Sequence, residues 1–281
     1  MRIMLPTSLA EVHAAQQEFP SGTIMAGGTD LLVRLRHSGR RPPALICLER
    51  VEELRELTMT NAEIVIGAAV TLQRLLECDT VKTDFAALHQ ALSVLASPPV
   101  RHSATLVGNL CTASPAGDTL PPLYVFDASV DTVCAGKYRR IPVAEFIAGP
   151  GRTVLQPGEV VTAVRLVRGP SGRRSGYYKV GKRQAMAIAI ASLAALVTPE
   201  KNGRRTIRLA WGSVGPTVMT APAVESFLSD RSLTEENLQQ AGALVSEFVQ
   251  PIDDLRASAG YRRQLAANLL LRLAADFDAG E

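Results

Sequence analysis

Two short stretches concentrate the residues that could do chemistry. The first is Ile24-Met25-Ala26-Gly27-Gly28-Thr29-Asp30-Leu31. The second is Ala104-Thr105-Leu106-Val107-Gly108-Asn109-Leu110-Cys111-Thr112-Ala113-Ser114-Pro115-Ala116-Gly117-Asp118. Each sets Gly, Thr, Asn or Asp directly after or between apolar residues. A turn of that composition leaves backbone N–H groups unpaired and pointing one way, which suits an anion such as a pyrophosphate. Glycine helps by reaching positive φ and by letting a ligand approach the main chain. Two such stretches, about 80 residues apart, point to one elongated phosphate-bearing ligand held from both sides.

Other chemistries find less support. Gly176-Tyr177-Tyr178-Lys179-Val180-Gly181-Lys182-Arg183 approaches the nucleoside-triphosphate loop G-x-x-x-x-G-K-S/T. However, Arg183 replaces the hydroxyl that would hold magnesium, and two adjacent tyrosines would crowd a phosphate cradle. There is no G-x-G-x-x-G fingerprint and no G-x-S-x-G elbow. His13, His37, His89 and His102 are scattered, with no H-E-x-x-H, so no metal site and no catalytic triad is expected. Cys47, Cys78, Cys111 and Cys134 form no C-x-x-C pair and read as reduced, partly buried thiols rather than ligands of a zinc ion or an iron–sulfur cluster. Residues 165–208 hold eleven Lys or Arg and one acid, Glu200. That run is a solvated face, or it meets a phosphate-bearing ligand, an acidic partner subunit or nucleic acid. The last is the weakest reading, since no binding module accompanies it.

The elements that must position the two stretches follow from pattern. A length of 281 residues fits about two domains, and 47% hydrophobic against 20% charged residues is ordinary for a globular protein with a real core. Aromatics are only 5%, so Leu, Val, Ile and Ala must build that core. A formal charge of +3 is too small to argue for a polyanionic partner. The longest apolar run, 185–197, falls short of the roughly 20 residues of a membrane span. The N-terminus has no signal-peptide pattern, so a cytoplasmic location is expected. Ser8-Leu9-Ala10-Glu11 is a capping box that opens a helix, 22–26 reads as a strand running into the first glycine stretch, a helix starts near Leu31, and 44–48 reads as a buried strand. Residues 63–70 read as another strand, Thr71 as the N-cap of helix 72–77, and Phe85, Leu88, Leu92 and Leu95 as one face of a longer helix stopped by Pro98-Pro99. Strands are expected at 129–134, 140–143 and 160–166, and a linker at 168–174. Residues 187–197 and 206–212 read as an antiparallel pair turning at 199–203, although the Ala-rich first member fits a helix equally well by periodicity. Ser232-Leu233-Thr234-Glu235 is a second capping box, and Leu265, Leu269, Leu270 and Leu273 give a helical tail its apolar stripe.

Taken together, the 24–31 stretch, Thr105–Asn109, Ser114-Pro115-Ala116-Gly117-Asp118 and Tyr178-Lys179-Val180-Gly181-Lys182-Arg183 resemble the flavin-binding subunit of molybdenum hydroxylases, the xanthine dehydrogenase and carbon monoxide dehydrogenase type, along essentially the whole chain. The resemblance implies an α+β protein. Its first part would be a vanillyl-alcohol-oxidase-type FAD-binding domain over 1–168, made of two α/β subdomains, about 1–55 and 56–168. A smaller α+β domain over 173–281 would follow, with a three-stranded antiparallel sheet and a helical bundle, and 187–197 would then be a strand. It also implies roles. The backbone of Ala26, Gly27, Gly28, Thr29 and Asp30 would wrap the FAD pyrophosphate, flanked by Ile24, Met25 and Leu31. Thr105, Leu106, Val107, Gly108 and Asn109 would meet it from the other side. Asp118 would accept hydrogen bonds from the flavin or its ribityl chain, Leu95 and Val161 would give apolar contact, and Lys179 would lie near the isoalloxazine, where positive charge favours the reduced, anionic form. Val107 stands where the family usually has a second glycine; if that position needs positive φ, the β-branched residue costs about 1–3 kcal/mol.

The function implied is electron transfer. A small partner subunit with two [2Fe–2S] clusters would pass electrons to FAD, which would deliver them to an acceptor such as NAD, while a large subunit with the molybdenum cofactor acts on the substrate. The chain carries no catalytic residue and no metal ligand under this reading, and neither a membrane span nor nucleic-acid binding is expected. The rival readings are a flavin-free scaffold subunit of the same fold and a stand-alone flavin oxidase.

Overall fold

The chain opens with a strand absent from the sequence reading, β1 (Arg2–Met4), followed by helix Leu9–Glu18, β2 (Thr23–Met25), helix Leu31–Ser38 and β3 (Ala44–Cys47). The computed structural model describes residues 1–200 and 205–277. These strands join in the order β1-β3-β2, all parallel. Parallel neighbours need a crossover, and the two helices supply it. As the middle strand, β3 is buried along its whole length, so its apolar run shows no alternation. Ser8 Oγ accepts from Glu11 N at 3.3 Å, and the Glu11 carboxylate accepts in return from Thr7 N at 2.7 Å, which fixes the start of the first helix.

A second sheet is antiparallel throughout. It draws on β4 (Leu57–Met59), β5 (Glu63–Gly67), β6 (Ser129–Cys134) and β7 (Lys137–Pro142). A small separate hairpin, β8 (Ile147–Gly149) with β9 (Arg152–Thr153), precedes its last member, β10 (Val160–Val167). The order is β4-β5-β10-β6-β7. Ile64, Ile66 and Val130 turn one face into the core. The other face carries a charge ladder in which Arg165 donates to Glu63 and Asp131, and Arg140 donates to Asp131 at 2.7 Å. These two sheets belong to one compact unit, made of Met1–Glu77, Ser97–Ala113 and Asp127–Arg168.

The second unit comprises Cys78–Ala96, Ser114–Phe126 and Gly169–Glu281. Its sheet runs consecutively through β11 (Arg174–Gly181), β12 (Ala189–Pro199), β13 (Arg205–Gly212) and the two-residue β14 (Met219–Thr220). The first three are the long antiparallel strands expected, and β14 adds a short fourth at the edge. Part of the turn expected at 199–203, Lys201 to Gly203, lies outside the described residues. On one face, Leu193, Leu209 and Trp211 pack with helices Pro222–Ser229, Glu235–Phe248 and Ala259–Asn268, and Trp211 Nε1 donates to Ala266 O at 3.0 Å. Helices Ala86–Val94 and Leu120–Val125 also pack on this sheet. Covered on both sides, β12 is buried from Ala189 to Leu196. That is why its sequence lacks a strand's alternation.

Several boundaries differ from expectation. The long helix is two, Asp79–Asp84 and Ala86–Val94, and it ends at Val94 rather than at the prolines. Pro98-Pro99 instead opens helix Pro98–Arg101, because a first helical turn needs no N–H from proline. Ser232 is not a cap; Thr234 Oγ1 accepts from Asn237 N at 3.4 Å, and the helix starts at Glu235. The near-match at 176–183 lies mostly on strand β11, so it forms no phosphate loop. Much of the described part of the basic run is used within the chain: Arg165 pairs with carboxylates, while Arg168, Arg173, Arg174, Lys182 and Arg183 donate to the chain's own carbonyls.

Candidate functional site

In the first unit, β2 runs straight into the 24–31 stretch. Gly28 sits at φ 70°, a left-handed conformation that a glycine adopts without strain. Gly27 has a different reason to be glycine: a β-carbon there would stand 1.8 Å from Ser103 O and 2.9 Å from Ala104 N. The first loop therefore lies directly on the backbone that leads into Thr105. Thr105 Oγ1 accepts from Gly108 N at 2.9 Å and caps helix Leu106–Thr112. That helix faces the first loop, since a β-carbon on Gly108 would come within 4.0 Å of Ala26 Cβ. Thr112 Oγ1 donates to Asp30 at 3.2 Å, tying the far end of the helix to the loop. The structure thus brings the two glycine stretches together as expected from their pattern.

These residues fit an anion. Asp30 is the N-cap of helix Leu31–Ser38, yet its side chain makes no capping bond and pairs with Arg34 at 2.8 Å instead. Ser8, Thr71, Thr105, Thr234 and Ser258 all cap their helices with a side-chain oxygen. Leu32 N in that first turn donates to Gly28 O at 3.0 Å, which folds the loop onto the helix start beside Ile24, Met25 and Leu31, all half-buried. Thr29 and Asp30 are exposed, whereas Leu106 and Val107 are buried, so only their backbone is at issue. Val107 is the second residue of helix Leu106–Thr112 and has no positive φ. The strain expected from a valine in place of glycine is therefore absent. Val161 is buried on β10, the strand that packs on this helix.

The second unit holds the remaining expected residues. Leu95 follows helix Ala86–Val94 and is buried. Asp118 and Lys179 form an ion pair at 2.7 Å, each side chain only 9% exposed. Lys179 Nζ also reaches Val94 O at 3.5 Å. The sequence reading missed the third member, Tyr177, whose hydroxyl donates to Asp118 Oδ1 at 2.8 Å. Alternate residues of a strand share a face, so Tyr177 and Lys179 turn together toward Asp118, while Tyr178 joins the helical-bundle side. That i, i+2 spacing was the available signal. Burial pushes the Asp118 carboxyl above its ordinary value, against the pull of Lys179 and Tyr177. Burial, with Asp118 alongside, raises Tyr177 well above the usual phenol range.

Elsewhere, a cleft of about 520 Å³ on the outer face of the five-stranded sheet contains none of the expected residues; its charged lining is Glu53, Glu56, Asp131, Arg139, Arg140 and Arg165. Among the described residues no group of three or more His, Cys, Asp or Glu could hold a metal ion. No helix among them is long and apolar enough to cross a membrane.

Against known proteins, the family profile described as the FAD binding domain in molybdopterin dehydrogenase matches residues 1–167. The chain belongs to the molybdopterin dehydrogenase flavoprotein family. A second profile, the CO dehydrogenase flavoprotein C-terminal domain, matches 176–277. The xanthine dehydrogenase FAD-binding subunit of Escherichia coli O157:H7 is 28% identical over 260 residues, covering 92% of this chain and 89% of that one. The carbon monoxide dehydrogenase medium chain of Hydrogenophaga pseudoflava is 27% identical over 268 residues, covering 95% and 93%. A solved structure of carbon monoxide dehydrogenase from the same organism superposes with a TM-score of 0.91 at 26% identity, covering 98% of this chain and 96% of that one. The flavoprotein family accounts for the α+β fold, makes FAD the cofactor and makes the chain an FAD-binding oxidoreductase subunit of the molybdenum hydroxylase family.

Proposed function

We propose that this chain is the electron-transfer subunit of a multi-subunit, cytoplasmic molybdenum hydroxylase. A small partner carrying [2Fe–2S] clusters supplies the electrons, a large partner carrying the molybdenum cofactor turns over the substrate, and an acceptor such as NAD takes the electrons away. The supporting observation is the docking of the 24–31 loop on Ser103 and Ala104, which joins two anion-binding turns through a contact only glycine permits. When bound, FAD supplies the capacity to collect electrons one at a time and release them as a pair.

The chain's own residues bind and tune. Ala26, Gly27, Gly28, Thr29 and Asp30 offer backbone N–H groups to the pyrophosphate, and Thr105, Gly108 and Asn109 complete its cradle. Ile24, Met25, Leu31, Leu95 and Val161 exclude water. Asp118 and Lys179 place a buried, compensated charge pair beside the flavin.

A visible spectrum during FAD titration of the purified chain tests the binding step. Bound, fluorescence-quenched flavin in the wild type, lost in Gly28→Val, is expected. Co-purification with the iron–sulfur partner and stopped-flow reduction of the flavin by that partner's reduced clusters tests the transfer step. A flavin that stays oxidised when the partner is reduced overturns the electron path while leaving FAD binding intact.

A further inference from the structure

Tyr177 is an expensive choice for its position. The residue is 7% exposed, and a buried hydroxyl costs free energy unless it is hydrogen-bonded, so phenylalanine would pack there at lower risk. The hydroxyl is used: it donates to Asp118 Oδ1 at 2.8 Å and also shares a hydrogen bond with Ser192. The ring is fastened from behind, because Tyr177 N donates to Gln90 Oε1 at 2.7 Å and neighbouring Ser175 Oγ accepts from Ala87 N at 3.1 Å. Asp118 thus receives one donor on each oxygen, Tyr177 on Oδ1 and Lys179 on Oδ2. At this burial, charge is weakly screened, and the state of the carboxylate decides how far the lysine's positive charge is cancelled.

We propose that Tyr177 is a positioning residue that sets how readily bound FAD is reduced, acting through the Asp118–Lys179 pair. The inference rests on the reading above that this pair lies beside the flavin. The hydroxyl steadies Asp118 as an anion aimed at Lys179. Without it, Asp118 loses the donor on Oδ1 and is no longer held aimed at Lys179 Nζ, so the lysine's charge is less fully compensated. Unopposed positive charge favours the reduced flavin, which carries more negative charge than the oxidised form.

The test is a dye-equilibrated reductive titration of the FAD-loaded protein at neutral pH, run on the wild type, Tyr177→Phe, Asp118→Asn and the double variant, with the FAD dissociation constant measured in parallel. Asp118→Asn is expected to move the two-electron equilibrium toward reduced flavin about tenfold, or about 30 mV. Tyr177→Phe moves it the same way by about threefold, or about 15 mV, and adds nothing in the Asp118→Asn background. A shift in Asp118→Asn with none in Tyr177→Phe overturns the proposal. So does an equal Tyr177→Phe shift in both backgrounds, or weaker FAD binding at an unchanged midpoint, since either marks a packing role. If Asp118→Asn itself leaves the midpoint unmoved, it is the placement of the pair beside the flavin that fails, and the proposal falls with it. Absence of FAD from the wild type would instead defeat the reading of the chain as a flavoprotein subunit.

Discussion

At position 27 a single methyl group would be driven to 1.8 Å from the Ser103 carbonyl oxygen, and that oxygen belongs to backbone rather than to a yielding side chain. Gly27→Ala is therefore expected to lift the first loop off the second and weaken FAD binding by more than about tenfold, roughly 1.4 kcal/mol. Fluorescence titration checks this, and unchanged affinity would show that the loops bind independently. A second prediction concerns Glu159, whose side chain is 3% exposed. It accepts from Arg139, Thr132 and Gln156 N, and Arg139 above all holds its carboxyl at about 2, well below the usual 4.5. A carboxyl depressed in the folded state stabilises the protein above its unfolded pKa and loses that contribution as pH falls toward the folded one. Denaturation midpoints of the wild type should thus decline between about pH 4.5 and 2, and Glu159→Gln should flatten that part of the decline. Parallel acid limbs in the two proteins would contradict it.

Among elements, helix Leu106–Thr112 depends most on its cap, because with seven residues it has little propagation to offset nucleation. Thr105→Ala removes the acceptor for Gly108 N and is expected to cost about 1 kcal/mol, read in urea unfolding, while Thr105→Ser retains most of the stability. Equal losses in the two variants would place the cost in packing instead. This helix reads in the sequence as a turn, because its Gly108 and Asn109 look like turn formers, whereas the helix that Thr71 caps ahead of Leu72–Leu76 is legible from the local pattern. Legibility failed where tertiary context overrode local pattern. Ser232 had the capping-box form, but Leu233 is buried ahead of the helix, which opens at Glu235 under the Thr234 cap. Pro98-Pro99 looked like a terminator and proved an initiator. The three-residue β1 exists only because β3 offers it an edge. In the candidate site, Gly27, Gly28 and Thr105 stand out as turn formers beside apolar residues, and their proposed roles come from the resemblance. The partnership of Tyr177 with Asp118 could not be found in the sequence, since 59 residues separate them and their contact depends on the pleat of β11.

For the molecule as a whole, a ligand that binds only the folded chain must stabilise it. Free FAD at a hundredfold excess over its dissociation constant should add about 2.7 kcal/mol to the stability, seen as a rise in melting temperature that Gly28→Val abolishes. A flat response in the wild type would count against a preformed site. The order of segments along the chain carries a further cost, paid during synthesis. The second unit takes Cys78–Ala96 and Ser114–Phe126 from the middle of the sequence and its sheet from beyond Gly169. Leu88 and Leu92, fully buried in the finished protein, lie on a helix that packs against β11 and β12, and β12 is not complete until Pro199. At translation rates of about 5–20 residues per second, that apolar helix waits roughly 5–20 s for its cover. A nascent chain with an orphaned apolar helix is a natural client for a holding chaperone, and a fragment begun at residue 173 would make the same demand from the opposite side, as a sheet whose second face never meets helices Ala86–Val94 and Leu120–Val125.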